Sequence, residues 1–359
     1  MNIKIDQDTD AESPRMWSNM GTLITCHAHS FGDSIEHNAT LGNDATLGDY
    51  ARLGDRAKLG SRATVGDRAT VGDRAKLGND ATVGNDATVG NYAKLGDGAN
   101  IGNYATLGND ASLGYDATLG NDATLGNDAT LGDRAKLGDR ARLGDYARLG
   151  DRARLGDRAT LGNRARLGNH ATLGNHASLG NGATLGYGAT LGNGATLGYG
   201  ATLGNGAKLG NGAKLGNGAK LCDYANLGDY ANLGDYAKLG SHATLGDYAK
   251  LGSHATLGSY ATLGDYATLG SYATLGEGFK FGKGLTIAGH SITALATASN
   301  LDGSGRQVKI MLTPSGVIIE AGCFLGTLTE FCAKANSEHK TLYAKMITAM
   351  ANVLIENNT

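Results

Sequence analysis

A large aliphatic residue recurs at every sixth position of this chain. From residue 35 to residue 286 the period continues without insertion over 252 residues, or 42 hexads. The consensus is Leu-Gly-[Asp or Asn]-x-Ala-[Thr, Lys or Arg], with the aliphatic residue at position one, as in residues 137–142. A disordered repeat does not keep a buried-size side chain at every sixth place, so the pattern predicts a folded repeat.

Each hexad is long enough for one short strand and one turn. The residue at position one and the alanine at position five are expected to point inward, and the others to face water. Glycine at position two is expected to allow backbone angles that a Cβ would penalise. Asp or Asn at position three suits a turn because its side chain can bond nearby backbone amides. Proline is absent from all 42 hexads, as expected for strands that donate ladder hydrogen bonds.

The motif L-G-x-x-A-x resembles the hexapeptide repeat of the left-handed parallel β-helix proteins. The resemblance implies an all-β fold in which three hexads form one triangular coil, hence about 14 coils and a prism roughly 65 Å long. It also implies the left hand. Periodicity alone would not give that hand, because parallel crossovers are normally right-handed.

The two ends of the chain do not follow the repeat. We interpret residues 1–34 as a small N-terminal cap, residues 35–286 as the β-helix, and residues 287–359 as an α+β C-terminal cap that covers the strand edge. Within that cap, residues 307–312 and 316–320 read as strands around a Pro-Ser-Gly turn. Thr327 and Glu330 form a capping box that opens a short helix.

A second helix is predicted from about residue 337 to residue 355. Its apolar residues lie near one face, and packing within the cap is the simpler interpretation. The alternative is a subunit contact, which would make residues 287–359 an oligomerisation module, for example of a homotrimer. The candidate contact residues are Leu342, Met346, Met350, Val353 and Leu354.

Composition restricts the functional classes. The chain has 32 basic and 34 acidic residues and a formal net charge of -2, so it is neither a polyanion mimic nor a general nucleic-acid binder. The four cysteines show no paired spacing and suggest neither a zinc module nor a disulfide framework. The N-terminus is polar and acidic, and no apolar run reaches membrane-spanning length, so we expect a soluble protein with no membrane partner.

Charge is banded along the repeat at the outward positions four and six. Residues 131–166 contain ten basic residues against five aspartates, whereas residues 107–130 contain aspartates and no basic residue. This belt could hold phosphate, although solvated charge interleaved with aspartate is the simpler interpretation. The candidate ligand-binding residues are Arg134, Arg140, Arg142, Arg148, Arg152, Arg154, Arg164 and Arg166.

Aromatic residues dominate position four further along the chain. From residue 182 to residue 218 this position is always glycine, and from residue 224 to residue 272 it is Tyr or His. Tyr230, Tyr248 and Tyr266 are 18 residues apart, so they should form one continuous ladder on one face at strand spacing. The ladder could contact bases or sugar rings. The simpler interpretation is that stacked tyrosines stabilise the surface of a sheet.

The best-known enzymes of the resembling family are acyltransferases that use coenzyme A or an acyl carrier. Their chemistry needs a histidine general base and a loop that breaks the coil to frame a cleft. No loop interrupts the hexads here, and the histidines occupy ordinary repeat positions. We therefore predict no catalytic residue and no cofactor. These histidines are His170, His176, His242 and His254.

The terminal segments have a resemblance of their own. Residues 13–22, followed by Cys26-His27 and Gly32-Asp33, and residues 321–328 resemble segments of bacteriophage and mobile-element proteins. They imply a phage or prophage origin, hence a place in the cytoplasm of a bacterial host or in a virion. Cys26, His27 and His29 could belong to a metal site, but alternate directions along one strand favour a structural role, and no metal is predicted.

These observations predict a non-enzymatic, rod-like binding or scaffolding protein of phage type. Its partner would be a macromolecule or a charged small ligand held by the outward Arg and Tyr ladders, and nucleic acid is not favoured. Two alternatives remain open: a structural fibre or oligomer component, and a coenzyme A-dependent acyltransferase.

Overall fold

The protein is a repetitive parallel β-solenoid with three strands per turn of about 18 residues. The computed structural model describes residues 123–127, 129–299 and 301–358, together with the backbone of ten two-residue strands between residues 34 and 119. The chain forms two compact units, residues 1–198 and 199–359. Within each unit the strands of the repeat pair in parallel at a spacing of 18 residues, as Thr124 with Arg142 and Lys214 with Asn232, whereas His290–Ser291 pairs antiparallel with Thr286–Ile287. The predicted fold class is confirmed.

The number of turns differs from the prediction of about 14, because the described residues account for about nine. The other predicted hexads fall within residues 35–122, of which the structure describes only the backbone of short strands. Those strands keep the same register, with Ser34 opposite Arg52 and Thr88 opposite Thr106. The left hand of the coil stays what the resemblance implies.

Nearly every strand of the solenoid consists of position six of one hexad and position one of the next. In residues 1–198 the strands are Ser34–Ile35, Arg52–Leu53, Thr64–Val65, Thr70–Val71, Thr82–Val83, Thr88–Val89, Asn100–Ile101, Thr106–Leu107, Ser112–Leu113, Thr118–Leu119, Thr124–Leu125, Thr130–Leu131, Lys136–Leu137, Arg142–Leu143, Arg148–Leu149, Arg154–Leu155, Thr160–Leu161, Arg166–Leu167, Thr172–Leu173, Ser178–Leu179, Thr184–Leu185, Thr190–Leu191 and Thr196–Leu197. In residues 199–359 they are Thr202–Leu203, Lys208–Leu209, Lys214–Leu215, Lys220–Leu221, Asn226–Leu227, Asn232–Leu233, Lys238–Leu239, Thr244–Leu245, Lys250–Leu251, Thr256–Leu257, Thr262–Leu263, Thr268–Leu269, Thr274–Leu275, Lys280–Phe281, Thr286–Ile287 and His290–Ser291.

The core of each unit is built from positions one and five. The described leucines at position one are at most 4 % exposed from Leu125 to Leu275, and the alanines at position five are fully buried from Ala123 to Ala267. Position six is the outward residue of the strand, so polar side chains there remain in water. This alternation agrees with the inward and outward positions predicted from the repeat.

Glycine at position two is needed for a different reason from the one predicted. A Cβ on Gly144 would lie 2.3 Å from the side-chain Oδ1 of Asn127 and 2.6 Å from its backbone nitrogen. A Cβ on Gly246 would likewise lie 2.3 Å from Asp229 Oδ1 and 2.6 Å from the Asp229 backbone nitrogen. The prediction of special backbone angles at this position is wrong. The glycine is required because successive turns approach more closely than a side chain permits.

The left-handed backbone conformation occurs at position four instead. Arg, Tyr and His residues there have φ between 55° and 61°, for example Arg134 and Tyr248, and the glycines from Gly182 to Gly218 share this conformation. It costs L-residues about 1–2 kcal/mol relative to the right-handed region. No β-branched residue occurs at position four of any hexad, in keeping with their poor tolerance of positive φ. Exchange of residues at this position is therefore constrained by the backbone.

The prediction that position three bonds backbone amides is confirmed, but the amide belongs to the next turn. Asp133 Oδ1 accepts a hydrogen bond from the backbone nitrogen of Asp151 at 2.8 Å, and Asp229 Oδ1 accepts one from Asp247 at 2.9 Å. Each carboxylate or amide thus connects two stacked turns and satisfies a backbone donor at the corner.

The C-terminal segment of residues 199–359 contains a four-stranded antiparallel sheet and two helices. The strands are Ala294–Ser299, Gln307–Thr313, Gly316–Ala321 and Phe324–Thr327, followed by helix α1 (Leu328–Ser337) and helix α2 (Thr341–Glu356). The two predicted strands and the capping box are confirmed, since Thr327 Oγ1 accepts from the Glu330 nitrogen and Glu330 Oε2 accepts from the Thr327 nitrogen. Helix α2 begins four residues later than predicted, because α1 extends to Ser337 and His339 has a φ of 59°.

This sheet satisfies backbone groups at the last turn of the solenoid in the same unit. The Gln307 side chain donates to the Leu275 carbonyl at 2.6 Å and accepts from the Leu275 nitrogen at 2.8 Å. Glu320, which is buried and paired with Lys309, accepts from the Tyr272 nitrogen at 3.1 Å. These side chains replace the partners that a further turn would provide.

The five residues predicted as the apolar face of helix α2 differ in solvent exposure. Met350 and Leu354 are half-buried against a core that includes Ile347, whereas Leu342, Met346 and Val353 are exposed. The subunit contact therefore stays a prediction, now restricted to the exposed residues. No helix among the described residues is long and apolar enough to cross a membrane.

Candidate anion-binding face

The 18-residue turn places the basic residues of the belt, residues 131–166, on different faces and corners of the solenoid. Position-six residues lie on the strands, and position-four residues lie at the turns on either side. One face and its two flanking corners bring six cations together, and we call this set the basic face. It consists of Arg134, Lys136 and Arg140 in one turn and Arg152, Arg154 and Arg158 in the next.

The two rows of the basic face are in direct register. Lys136 lies opposite Arg154 in the parallel ladder. At the corners, the Arg134 nitrogen donates to the Asp151 carbonyl at 2.8 Å, and the Arg140 nitrogen donates to the Asp157 carbonyl at 2.9 Å. The backbones of successive cationic residues are thus about 4.8 Å apart, at the strand spacing.

The cations of the basic face are exposed and unpaired. Among the described residues, none of their six side chains makes a hydrogen bond or an ion pair. The neighbouring carboxylates already have partners, because Asp133 Oδ1 accepts from the Asp151 nitrogen and Asp139 Oδ1 from the Asp157 nitrogen, both at 2.8 Å. The aspartates lower the net charge of this surface without pairing with its guanidinium groups.

Shallow grooves follow the two corners that flank the basic face. One groove has a volume of about 430 Å³ and the other about 590 Å³. In each groove the arginines are followed one turn later by a histidine, His170 in the first and His176 in the second. The His170 ring also contacts Tyr187 edge-on, with centroids 5.4 Å apart. Both grooves therefore combine cations with hydrogen-bond donors.

Four of the predicted arginines lie outside this face. Arg142 lies on the second face between Thr124 and Thr160, and Arg148 and Arg166 oppose each other on the third. Arg164 donates to the Tyr146 hydroxyl at 3.1 Å with its guanidinium 5.6 Å from the ring centroid, so it already has a partner. The prediction left out Lys136, Arg158, His170 and His176, which the 18-residue spacing would have placed beside Arg134, Arg140, Arg152 and Arg154.

The tyrosine ladder predicted in residues 199–359 is confirmed, but it lies at a corner and not on a face. Tyr230, Tyr248 and Tyr266 stack with centroids 5.1 Å apart and interplanar angles of 3° and 13°. They occupy position four, which is a turn residue. Two parallel columns stack at the other corners with separations of 4.9–5.2 Å, namely Tyr224, His242 and Tyr260, and Tyr236, His254 and Tyr272.

Stacking closes the interior of these columns to ligands. Rings about 5 Å apart leave no space for a further ring between them, so a base or sugar can meet only ring edges or the end of a column. His242 and His254 each lie between two tyrosine rings. This arrangement does not place either imidazole in a cleft, as a general base would require.

No family model, curated protein or solved structure matches this chain. The likeness to hexapeptide-repeat proteins therefore depends on the repeat and on the parallel solenoid with three strands per turn. Cys26, His27 and His29, and the acidic residues 107–122, lie outside the residues whose side chains the structure describes.

Proposed function

We propose that this protein is a non-enzymatic binding protein whose basic face holds an extended ligand with closely spaced phosphate groups. The observation that carries the proposal is the pair of rows of unpaired cations in direct register, beside carboxylates that already bond the backbone. No catalytic residue or cofactor is part of this function.

Electrostatics favours a polyanion over a single ion. Two like charges 4 Å apart repel by about 1 kcal/mol even at the dielectric constant of water, so neighbouring unpaired cations lower stability until an anion reduces their field. The repeat fixes the backbone positions of the cations, so only their side chains have to be ordered on binding. Arginine presents a planar fork that matches phosphate oxygens. Sequence readout of a nucleic acid is not favoured, since the aromatic columns have their interior rings stacked on each other.

Binding of inorganic polyphosphate to matched triple variants tests this proposal. Lys136→Gln, Arg154→Gln and Arg158→Gln remove two strand cations and one corner cation from the basic face. The control Arg148→Gln, Arg166→Gln and Arg164→Gln removes the same charge from the same kinds of position elsewhere. We expect the first variant to lose at least tenfold in affinity in 0.1 M salt and to show a shallower dependence on salt, and the control to lose about threefold or less.

Equal losses in the two triple variants would show that only the total charge of the belt matters, and the basic face would be rejected as a site. Circular dichroism of both variants checks that the strands are retained.

The phage-type origin suggested by the terminal segments stays part of this proposal, as does placement in a host cytoplasm or a virion. A fibre that grows from the C-terminal end is less favoured. The Gln307 side chain already forms hydrogen bonds with the backbone nitrogen and carbonyl of Leu275 at the last turn, so these groups cannot pair with another chain.

A further inference from the structure

The turn that follows the basic face has a histidine at each of the two corresponding corners. Position four is His170 at one corner and His176 at the other, with Thr172 on the strand between them, and all three side chains are exposed. Thr172 lies opposite Arg154 in the parallel ladder. The Arg152 nitrogen donates at 2.8 Å to the carbonyl of the residue before His170. These three residues, which we call the histidine row, therefore continue the two rows of the basic face.

The histidine row lacks the carboxylates of the two rows before it. At the corners of the basic face position three is Asp, whereas in the histidine row it is Asn169 and Asn175. The amides keep the connection between turns, since Asn169 Oδ1 accepts from the Tyr187 nitrogen at 2.8 Å and Asn175 Oδ1 from the Asn193 nitrogen at 2.9 Å. A positive charge in this row is therefore not offset by a carboxylate of the same row.

On the other side of the basic face the sequence is acidic. Asp116 and Asp122 precede Arg134 and Arg140 by 18 residues, which is one turn of the repeat. Carboxylates repel an anionic ligand at that end. A polyanion that is longer than the two rows of the basic face is therefore favoured on the side of the histidine row.

The charged groups around each imidazole offset one another. The groove of His170 contains Asp151 and Arg152, and the groove of His176 contains an aspartate and an arginine at the equivalent positions. Each groove also contains the aspartate and arginine one turn further back, so the two signs are equal in number. A bound polyanion adds negative charge, which favours the imidazolium form. The remaining charged or titratable groups beside these corners are Asp133, Arg134, Asp139, Arg140, Asp157, Arg158, Arg166 and Tyr187.

We infer that His170 and His176 bind the same polyanion as the basic face when their rings are protonated, so that the ligand spans three turns and is held more tightly in mildly acidic solution. Imidazole is the side chain that ordinarily gains its charge between about pH 8 and pH 5. The Thr172 hydroxyl between the two rings provides a further donor for a phosphate oxygen. This inference rests on the proposed function, because the histidine row extends a ligand that the basic face already holds.

The affinity for long-chain inorganic polyphosphate at pH 7.5 and pH 5.5 tests this inference. His170→Tyr with His176→Tyr removes both imidazoles, and the turn accepts the larger ring, since Tyr266 lies over Gly284 as His170 lies over Gly188. We expect the unmodified protein to bind about tenfold more tightly at pH 5.5 in 0.1 M salt, and the variant to lose most of this gain. Any change in the charge of the ligand itself affects both proteins equally.

Two further variants make the test specific. His242→Tyr with His254→Tyr makes the same exchange at position four within the aromatic columns, and it should keep the pH dependence of the unmodified protein. His170→Arg with His176→Arg gives the histidine row a permanent charge at a position that accepts arginine elsewhere in the repeat. This variant should bind at pH 7.5 about as tightly as the unmodified protein binds at pH 5.5, with little further dependence on pH.

The outcomes separate this inference from the proposed function. Binding that requires the basic face, but gains equally from acid in the unmodified protein and in the variant with tyrosine at residues 170 and 176, would overturn the inference and leave the proposed function standing. If the unmodified protein binds polyphosphate at neither pH, both are rejected.

Discussion

The basic corners of residues 131–176 and the aromatic corners of residues 221–272 have the same backbone conformation. They differ in whether the side chains at position four have partners. Both have the same buried Leu and Ala positions, the same ladder of Asp or Asn side chains, and position four at φ near 58°. In the aromatic corners, each ring stacks on the ring one turn away. In the basic face, no cation has a partner among the described residues.

The difference separates the part of the repeat that carries stability from the side chains that vary on it. The backbone ladder, the close approach of turns at position two and the buried positions do not depend on the residue at position four. The aromatic columns add stabilisation within the chain, whereas the basic face adds repulsion that a ligand or salt can reduce further than its aspartates do.

The largest expected effect on stability comes from replacing the position-two glycines that both regions share. Gly156→Ala in the basic region and Gly246→Ala in the aromatic region would each place a Cβ within 2.3 Å of a neighbouring carboxylate oxygen. We expect both to lower the free energy of unfolding by about 3 kcal/mol or more, as measured by urea denaturation. Gly200→Ala, at the open position four, should cost only about 1 kcal/mol. If one of the two position-two variants were tolerated, the two regions would not share the same close packing.

An intermediate effect on stability is expected from substitutions at position four, and it should differ between the aromatic and the basic corners. Tyr248→Leu removes a ring that stacks on both sides, and Arg152→Leu removes an unpaired cation from the same turn position. We expect Tyr248→Leu to cost about 1–2 kcal/mol and Arg152→Leu to change stability by less than about 0.5 kcal/mol, measured as above. Equal costs would mean that stacking adds nothing beyond the burial of side-chain area.

The smallest expected effect is that of salt. Raising sodium chloride from 0.05 to 0.5 M should slow amide hydrogen exchange in residues 131–158 by an amount equivalent to less than about 1 kcal/mol, because it screens the repulsion between cations. Exchange in residues 224–266 should not change. The Lys136→Gln, Arg154→Gln, Arg158→Gln variant is the control, and it should lose most of the effect. A salt effect that persists in this variant would exclude repulsion in the basic face as its cause.

Much of the fold follows from the repeat alone, and the site only in part. An aliphatic residue at every sixth position and alanine four residues later require a narrow core, which three strands per turn provide. The capping box at Thr327 and Glu330 is a local signal, so it too was predictable. The choice among arginines was missed, because the prediction treated the belt as one band. The 18-residue spacing that predicted the tyrosine ladder also places Lys136 beside Arg154 and Arg148 beside Arg166.

By itself the sequence determined the repeat, its inward positions and the bands of charge and aromatic residues, since these depend on local spacing. Only the tertiary structure decided that position two is fixed by the contact between turns and position four by a left-handed backbone. It also decided that the aspartates bond the next turn, and that the aromatic residues stack in columns at the corners. The physical reason is that all four properties arise between residues one turn apart, and local sequence does not state how closely successive turns approach.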